Sequence, residues 1–176
     1  MKHIRFIFLI CLLNSIPIFA QENLEEREEE KPHSLAFVLS YTHIPAATKD
    51  GEVEEAVFVP TLGLDYFYSL NEKWLVGAAI DWELGKYEVD YEDNELSREI
   101  AIVIGALVGY EVLPGWAFLV GPGVEFERNK NLFVLRLSTE YTFDLGKAWG
   151  LFPSFTYDFK KEYSAYALGV GLKKRF

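Results

Sequence analysis

The sequence predicts an all-β protein, an eight-stranded antiparallel up-and-down transmembrane β-barrel over residues 34–176, and three observations carry that expectation. From Ser34 onward, bulky apolar residues alternate with small or charged ones, the two-residue period of strands whose faces differ. Turn signals at Asn71-Glu72-Lys73, Leu113-Pro114-Gly115 and Leu145-Gly146-Lys147-Ala148 punctuate the alternation. The third observation is that the faces are inverted relative to a soluble sheet. In the closing stretch, Tyr166, Leu168, Val170, Leu172 and Phe176 share one face, and Ala165, Ala167, Gly169, Gly171, Lys173 and Arg175 share the other. Small residues on a solvated face would only weaken a strand. Facing a narrow lumen, with the bulky face in lipid, they fit.

The chain of 176 residues opens with Lys2 and Arg5, an apolar run, Pro17 and Ala20, the pattern of a secretory signal over residues 1–20. A membrane anchor needs roughly 20 apolar residues, and Asn14, Ser15 and Pro17 interrupt this run. Lipidation at Cys11 would need a small residue where Ile10 stands. Without the leader, 156 residues carry 15 basic and 27 acidic side chains, a net charge of −12, and no cysteine. That balance argues against a nucleic-acid partner, and the lack of thiols removes disulfides and cysteine-held zinc. Residues 21–33, charged and ended by Pro32, read as an acidic periplasmic linker, with a partner-binding arm as the alternative.

The first strand, about Ser34 to Ile44, sends Leu35, Phe37, Leu39 and Tyr41 outward, and residues 45–55 form a loop. The second, Ala56 to Leu70, places Phe58, Leu62, Leu64, Tyr66 and Tyr68 outward and Thr61, Gly63 and Asp65 inward. The third runs from Trp74 with Ile80, Trp82 and Leu84 outward and Asp81 and Glu83 inward. Beyond Leu84 the outward positions turn charged (Lys86, Glu88, Asp90), as in a strand leaving hydrocarbon for water; a bulge there is the alternative. After a turn at residues 92–98, the fourth strand, Glu99 to Val112, has Ile100, Ile102 and Ile104 outward and Glu99, Ala101, Gly105 and Gly109 inward. The fifth, Trp116 to Glu127, sets Glu125 and Glu127 inside. Pro60, Pro122 and Pro153 count against a closed sheet unless bulges take up the missing donors. The sixth, Leu132 to Asp144, puts Arg136 and Glu140 inside, and the seventh, Trp149 to Phe159, puts Asp158 inside. Trp74, Tyr110, Trp116, Trp149 and Phe176 would ring one membrane boundary, and Tyr41, Trp82, Phe126 and Tyr157 the other.

The alternating final strand ending in Phe176 resembles that of the small bacterial outer-membrane barrel families, the OmpX-like, OmpW-like and OmpA membrane-domain barrels. The resemblance implies that Tyr166, Leu168, Val170, Leu172 and Phe176 are the signal read by the barrel-insertion machinery. It also implies residence in the Gram-negative outer membrane, as a monomer among outer-membrane lipids and lipopolysaccharide.

The inward charges define the chemistry to be tested. Asp81, Glu83, Arg136, Glu140, Asp158 and Lys160 are expected to form a lumen network in which the cations satisfy the carboxylates and plug the barrel. The alternative is a cation or small-solute site at an acidic mouth, with Glu99, Glu125 and Glu127 as candidate metal ligands. A third class is a lipid A-modifying enzyme, which resembles this chain in size. It would need a nucleophile beside a histidine. His33 lies in the linker, and Pro45 follows His43 where the deacylase pattern, similar to His-x-Ser, has serine. The reading is therefore a non-enzymatic barrel without cofactor, with a structural or surface-interaction role.

Overall fold

The computed structural model describes residues 31–45, 47–49, 52–53, 56–91 and 94–176. The leader and most of the acidic segment lie outside the described residues. The strands are β1 His33–Pro45, β2 Ala47–Lys49, β3 Glu52–Val53, β4 Ala56–Ser69, β5 Trp74–Tyr91, β6 Asn94–Leu113, β7 Trp116–Phe126, β8 Leu132–Tyr141, β9 Phe143–Gly146, β10 Trp149–Phe159 and β11 Ser164–Arg175. Each of β1, β4, β5, β6, β7, β8, β10 and β11 pairs antiparallel with the next, and β11 pairs with β1. The eight-stranded sheet is thus closed on itself, with β9 continuing the β8 stave below a break at Thr142. Within the barrel wall, closure leaves none of the eight staves with a free edge.

The alternation works as read. Along β7, exposed and enclosed residues alternate from Trp116 to Phe126 almost without exception. Leu35, Phe37, Leu39 and Tyr41 of β1 are exposed, and Ala36, Val38 and Thr42 are buried. Trp74, Trp116, Trp149 and Phe176 are exposed toward the short-turn end of the barrel.

The structure corrects the sequence reading at four places. First, residues 45–55 are not wholly loop: β2 pairs with β5 (Ala47↔Val89, Thr48↔Glu88) and with β3. Second, the chain continues as a paired ribbon where a turn over 92–98 is expected, so that β5 and β6 reach 18 and 20 residues. A membrane-crossing strand needs about 9–11, and this hairpin stands beyond the other staves. Third, a register shift lies between Glu83 and Lys86 in the β5–β6 ladder, and β6 absorbs it. In β5 the enclosed positions run on unbroken through Glu83, Tyr87 and Val89; in β6, Ile100 takes a positive φ of 51° and the parity resets.

Fourth, no bulge accommodates the prolines. The β7–β8 register is straight through Pro122↔Leu135, and Pro122 faces β6 where that ladder skips from Gly105↔Gly123 to Val108↔Val120 without a shift. Pro153 lies opposite the Thr142 break, between Leu151↔Phe143 and Ser154↔Glu140. Pro60 lies just beyond the β4–β5 ladder, which ends at Thr61↔Glu83. Each proline thus stands where one neighbouring ladder is interrupted, which is where a missing N–H costs no bond.

The interior is layered. At the loop end, Ile44, Val57, Val59, Tyr87, Val89, Leu132, Tyr163 and Ala165 form an apolar roof. Toward the short-turn end, Phe67, Ala79, Leu107 and Leu119, with Leu75, form a floor, beside a cluster of Ala36, Val38 and Phe152. These large inward side chains fit because glycines face them. Phe152 lies opposite Gly171, where a Cβ would overlap the ring, and Phe67 lies opposite Gly77 in the same relation.

Candidate functional site: the lumen network

The interior holds two tiers of buried charge, the middle one above the floor and the upper one interleaved with the roof. In the middle tier Arg136, 4% exposed, extends from β8 across the lumen. Its Nε and Nη2 each donate to Asp158 at 2.8 Å, and Nη1 donates to Asp81 of β5. The bidentate fork is the geometry a planar guanidinium offers a carboxylate. Asp158 lies directly opposite Arg136 in the β8–β10 ladder, and the other neighbour, Gly121 of β7, leaves room for the side chain to turn inward. Nearer the floor, Lys173 of β11 pairs with Glu140 of β8.

The upper tier is built on Glu125. Lys160 Nζ ion-pairs with its carboxylate, Tyr163 donates its hydroxyl to it at 2.9 Å, and Arg98 Nη2 lies 2.8 Å from Oε1. The Arg98 approach is an ion contact off the N–H axis, since Nη2 and Nε have no hydrogen-bond partner. Its Nη1 reaches Glu127 at 3.2 Å and the Lys130 carbonyl at 2.5 Å. Tyr87 donates to Glu83 at 2.9 Å and its hydroxyl stands 3.0 Å from that of Tyr163. Burial alone would push the Lys160 ammonium pKa down, but Glu83, Tyr163 and Glu125 lift it above the ordinary lysine value. Burial pushes the Tyr163 phenol up against the pull of Lys160, so it remains a donor.

The structure thus brings Asp81, Arg136 and Asp158 together, and gathers Glu83, Glu125 and Lys160 above them. It does not assemble the three-carboxylate mouth. Glu99 is exposed on the outer face, opposite Lys86; the parity reset at Ile100 turns its neighbour Arg98 inward in its place. Glu127 is tied to its own loop, accepting from Asn129 N at 2.7 Å, besides meeting Arg98. Among the described residues, no three Asp, Glu, His or Cys side chains converge as a metal site. Arg175 is exposed, not inward. Sequence reasoning missed Arg98 and Tyr163; the adjacent charges at Arg98-Glu99 were the available hint, since a one-residue slip exchanges one for the other.

Of the described residues, neither His33 nor His43 sits in a catalytic arrangement. His43 faces outward, its ring stacked on Tyr166 at 4.3 Å and edge-on to Phe58 at 4.8 Å, with Nδ1 buried and without a hydrogen-bond partner. His33 bonds Tyr66 Oη at 2.7 Å through Nδ1 and stacks on Phe176, and its backbone exchanges bonds of 3.2 and 2.9 Å with Phe176 across the seam.

No protein-family model and no curated protein sequence matches the chain. Solved structures do. The Neisserial surface protein A is similar over 82% of this chain and 97% of its own, with a TM-score of 0.55 at 10% identity. The outer membrane protein OprG from Pseudomonas aeruginosa matches over 82% and 97%, with a TM-score of 0.54 at 12% identity. The attachment invasion locus protein Ail of Yersinia pestis, in complex with the heparin analogue sucrose octasulfate, matches over 83% and 99%, with a TM-score of 0.50 at 13% identity. What the chain shares with all three is the fold, a small closed barrel of antiparallel strands.

Proposed function

We propose that the chain is a bacterial outer-membrane barrel, exported through its N-terminal leader, that spans the membrane as a sealed monomer and serves a structural or surface-interaction role without catalysis. The observation that carries this reading is the filled lumen: Arg136 bridges Asp81 and Asp158 across the barrel, and Arg98 and Lys160 meet Glu125 among the apolar side chains of the loop end. Eight strands leave an interior just wide enough for side chains, and here those side chains are paired. The outer surface, lined by residues such as Phe37, Leu39, Phe133 and Leu168, has the apolar band that a lipid core demands. In this reading the termini and short turns face the periplasm, and the β5–β6 hairpin projects from the cell surface among lipopolysaccharide.

Conductance across a planar lipid bilayer tests it. The protein, folded from detergent into the bilayer, is expected to give no steady single-channel current; a resolved ohmic step that titrates with protein would replace the sealed barrel with a narrow channel. Lipid A compared by mass spectrometry with and without the protein tests the absence of catalysis, and unchanged acylation is the expected result.

A further inference from the structure

The turn between β9 and β10 meets the end of β11 at one corner of the short-turn end. Gly146, Lys147 and Ala148 take positive φ of 79°, 54° and 64°, the left-handed geometry of a tight hairpin connection, which presents the exposed Lys147 beside β11. Trp149 lies opposite Lys174 in the β10–β11 ladder, and Arg175 N donates to the Ala148 carbonyl at 2.8 Å, holding the end of β11 against the turn. Lys174 carries its ammonium on the outward face, 5.0 Å from the centre of the Trp149 ring, and donates to the Lys147 carbonyl at 2.5 Å. An ammonium has three N–H donors, so two remain.

The corner carries more positive charge than negative. Arg175, exposed, adds a third cation, and Asp144, the carboxylate of the same turn, is turned back to accept from Gly146 N at 2.7 Å. Among the described residues nothing accepts from the Trp149 indole, whereas Trp116 Nε1 donates to Thr139 at 2.9 Å. Toward the middle of the barrel, Leu151 and Leu172 form the next outward pair, 40% and 43% exposed. Cations and an indole donor therefore stand at the end of an apolar track. A phospholipid has the same order of groups, phosphate and then hydrocarbon, and an interfacial tryptophan marks the depth at which the two meet.

We propose that this corner binds one anionic phospholipid, its phosphate held by Lys174, Lys147 and the Trp149 indole, with an acyl chain along Leu172 and Leu151. The proposal rests on the membrane-spanning reading above and names the lipid class for the leaflet at the short-turn end. A zwitterionic lipid offers the same phosphate but brings its own cation to a corner already rich in them, so net charge is what the site discriminates.

The test is native mass spectrometry of the full chain, folded into vesicles of phosphatidylcholine and phosphatidylglycerol in equal amounts and released with the lipid it retains. One phosphatidylglycerol per barrel is expected to be kept in preference to phosphatidylcholine, each lysine contributing roughly twofold to fivefold. Lys147→Gln combined with Lys174→Gln is expected to bring the two lipids level. Lys73→Gln, at another turn of the same end, is expected to leave the preference unchanged. Equal retention by the wild type overturns the site, as does a preference that survives the double variant or that Lys73→Gln lowers as far. Should the double variant not fold, Lys147→Gln alone is expected to cut the preference by about twofold or more, and no change overturns the site. Inorganic phosphate at matched ionic strength is expected not to displace the lipid; displacement overturns the lipid as occupant. A chain that does not fold into phosphatidylcholine vesicles at all overturns the membrane-spanning reading and the site with it, which separates that failure from equal retention.

Discussion

Replacing Arg136 by methionine removes the guanidinium that Asp81 and Asp158 share while keeping most of the side-chain volume. The residue donates three charge-assisted bonds, two of them to Asp158 at 2.8 Å. Bonds to charged groups contribute about 1.5–3 kcal/mol each in isolation, but part of that only offsets the desolvation of the ions. What remains on truncation is the cost of leaving two carboxylates enclosed without their cation, about 3–5 kcal/mol. The triple variant Arg136→Met, Asp81→Asn, Asp158→Asn removes the stranded charge as well, and is expected to recover at least half of the loss. Urea-dependent folding into lipid vesicles reads both, from tryptophan fluorescence and from the heat-modifiable band on a gel. An Arg136→Met loss under about 1 kcal/mol, the size of an exposed pair, would show that the middle tier is not the buried brace described here. So would a triple variant no better than the single.

Phe152→Ala empties the socket over Gly171 and is expected to cost about 3–5 kcal/mol. Gly171→Ala instead drives a methyl into the Phe152 ring and is expected to cost about 1–3 kcal/mol; urea midpoints with an unchanged slope check both. Tyr163→Phe leaves Glu125 and Lys160 short of a partner, an expected loss of about 1–3 kcal/mol in the same assay. At the loop end, Lys130 and Glu162 form an ion pair of 2.8 Å with the lysine half exposed. Partial burial pushes Glu162 up, but the hydrogen bond and charge of Lys130 hold it below the usual carboxylate range. Its small contribution is therefore present above the ordinary glutamate value and lost as pH falls through the lowered one. Melting of Glu162→Gln against wild type is expected to differ slightly at neutral pH and to converge in acid.

Much of this architecture is legible in the sequence because a period of two is stringent: a face wrong by one residue would put Phe118 or Leu168 in the lumen. The faces of β1, β7 and β11 could be written down directly. The reading failed at Ile100, where a positive φ in a β-branched residue, rare in itself, lets two successive residues stay outside. Arg98 and Glu99 are both charged, so either parity delivers a charge to the interior and polarity could not choose between them. The glycines misled differently. Gly171, Gly77 and Gly109 suggest a lumen lined by small groups, yet each gives way to a large inward neighbour on the next strand: Phe152, Phe67 or Leu75. Pairing across the lumen, as between Arg136 and Asp81, joins residues of staves that are not neighbours, and no local pattern encodes it.

The seam between β1 and β11 joins the first and last described staves in an uninterrupted ladder from Ser34↔Arg175 to His43↔Tyr166. Loop-closure entropy for such distant partners must be met before their bonds form. Until that ladder zips, every partial sheet carries two raw borders, and neither tolerates hydrocarbon. Closure of that seam is therefore coupled to entry: an open sheet cannot rest in hydrocarbon for want of partners, and a closed one cannot rest in water with Phe37, Leu39 and Leu168 outside, so the last ribbon must zip as the wall meets lipid.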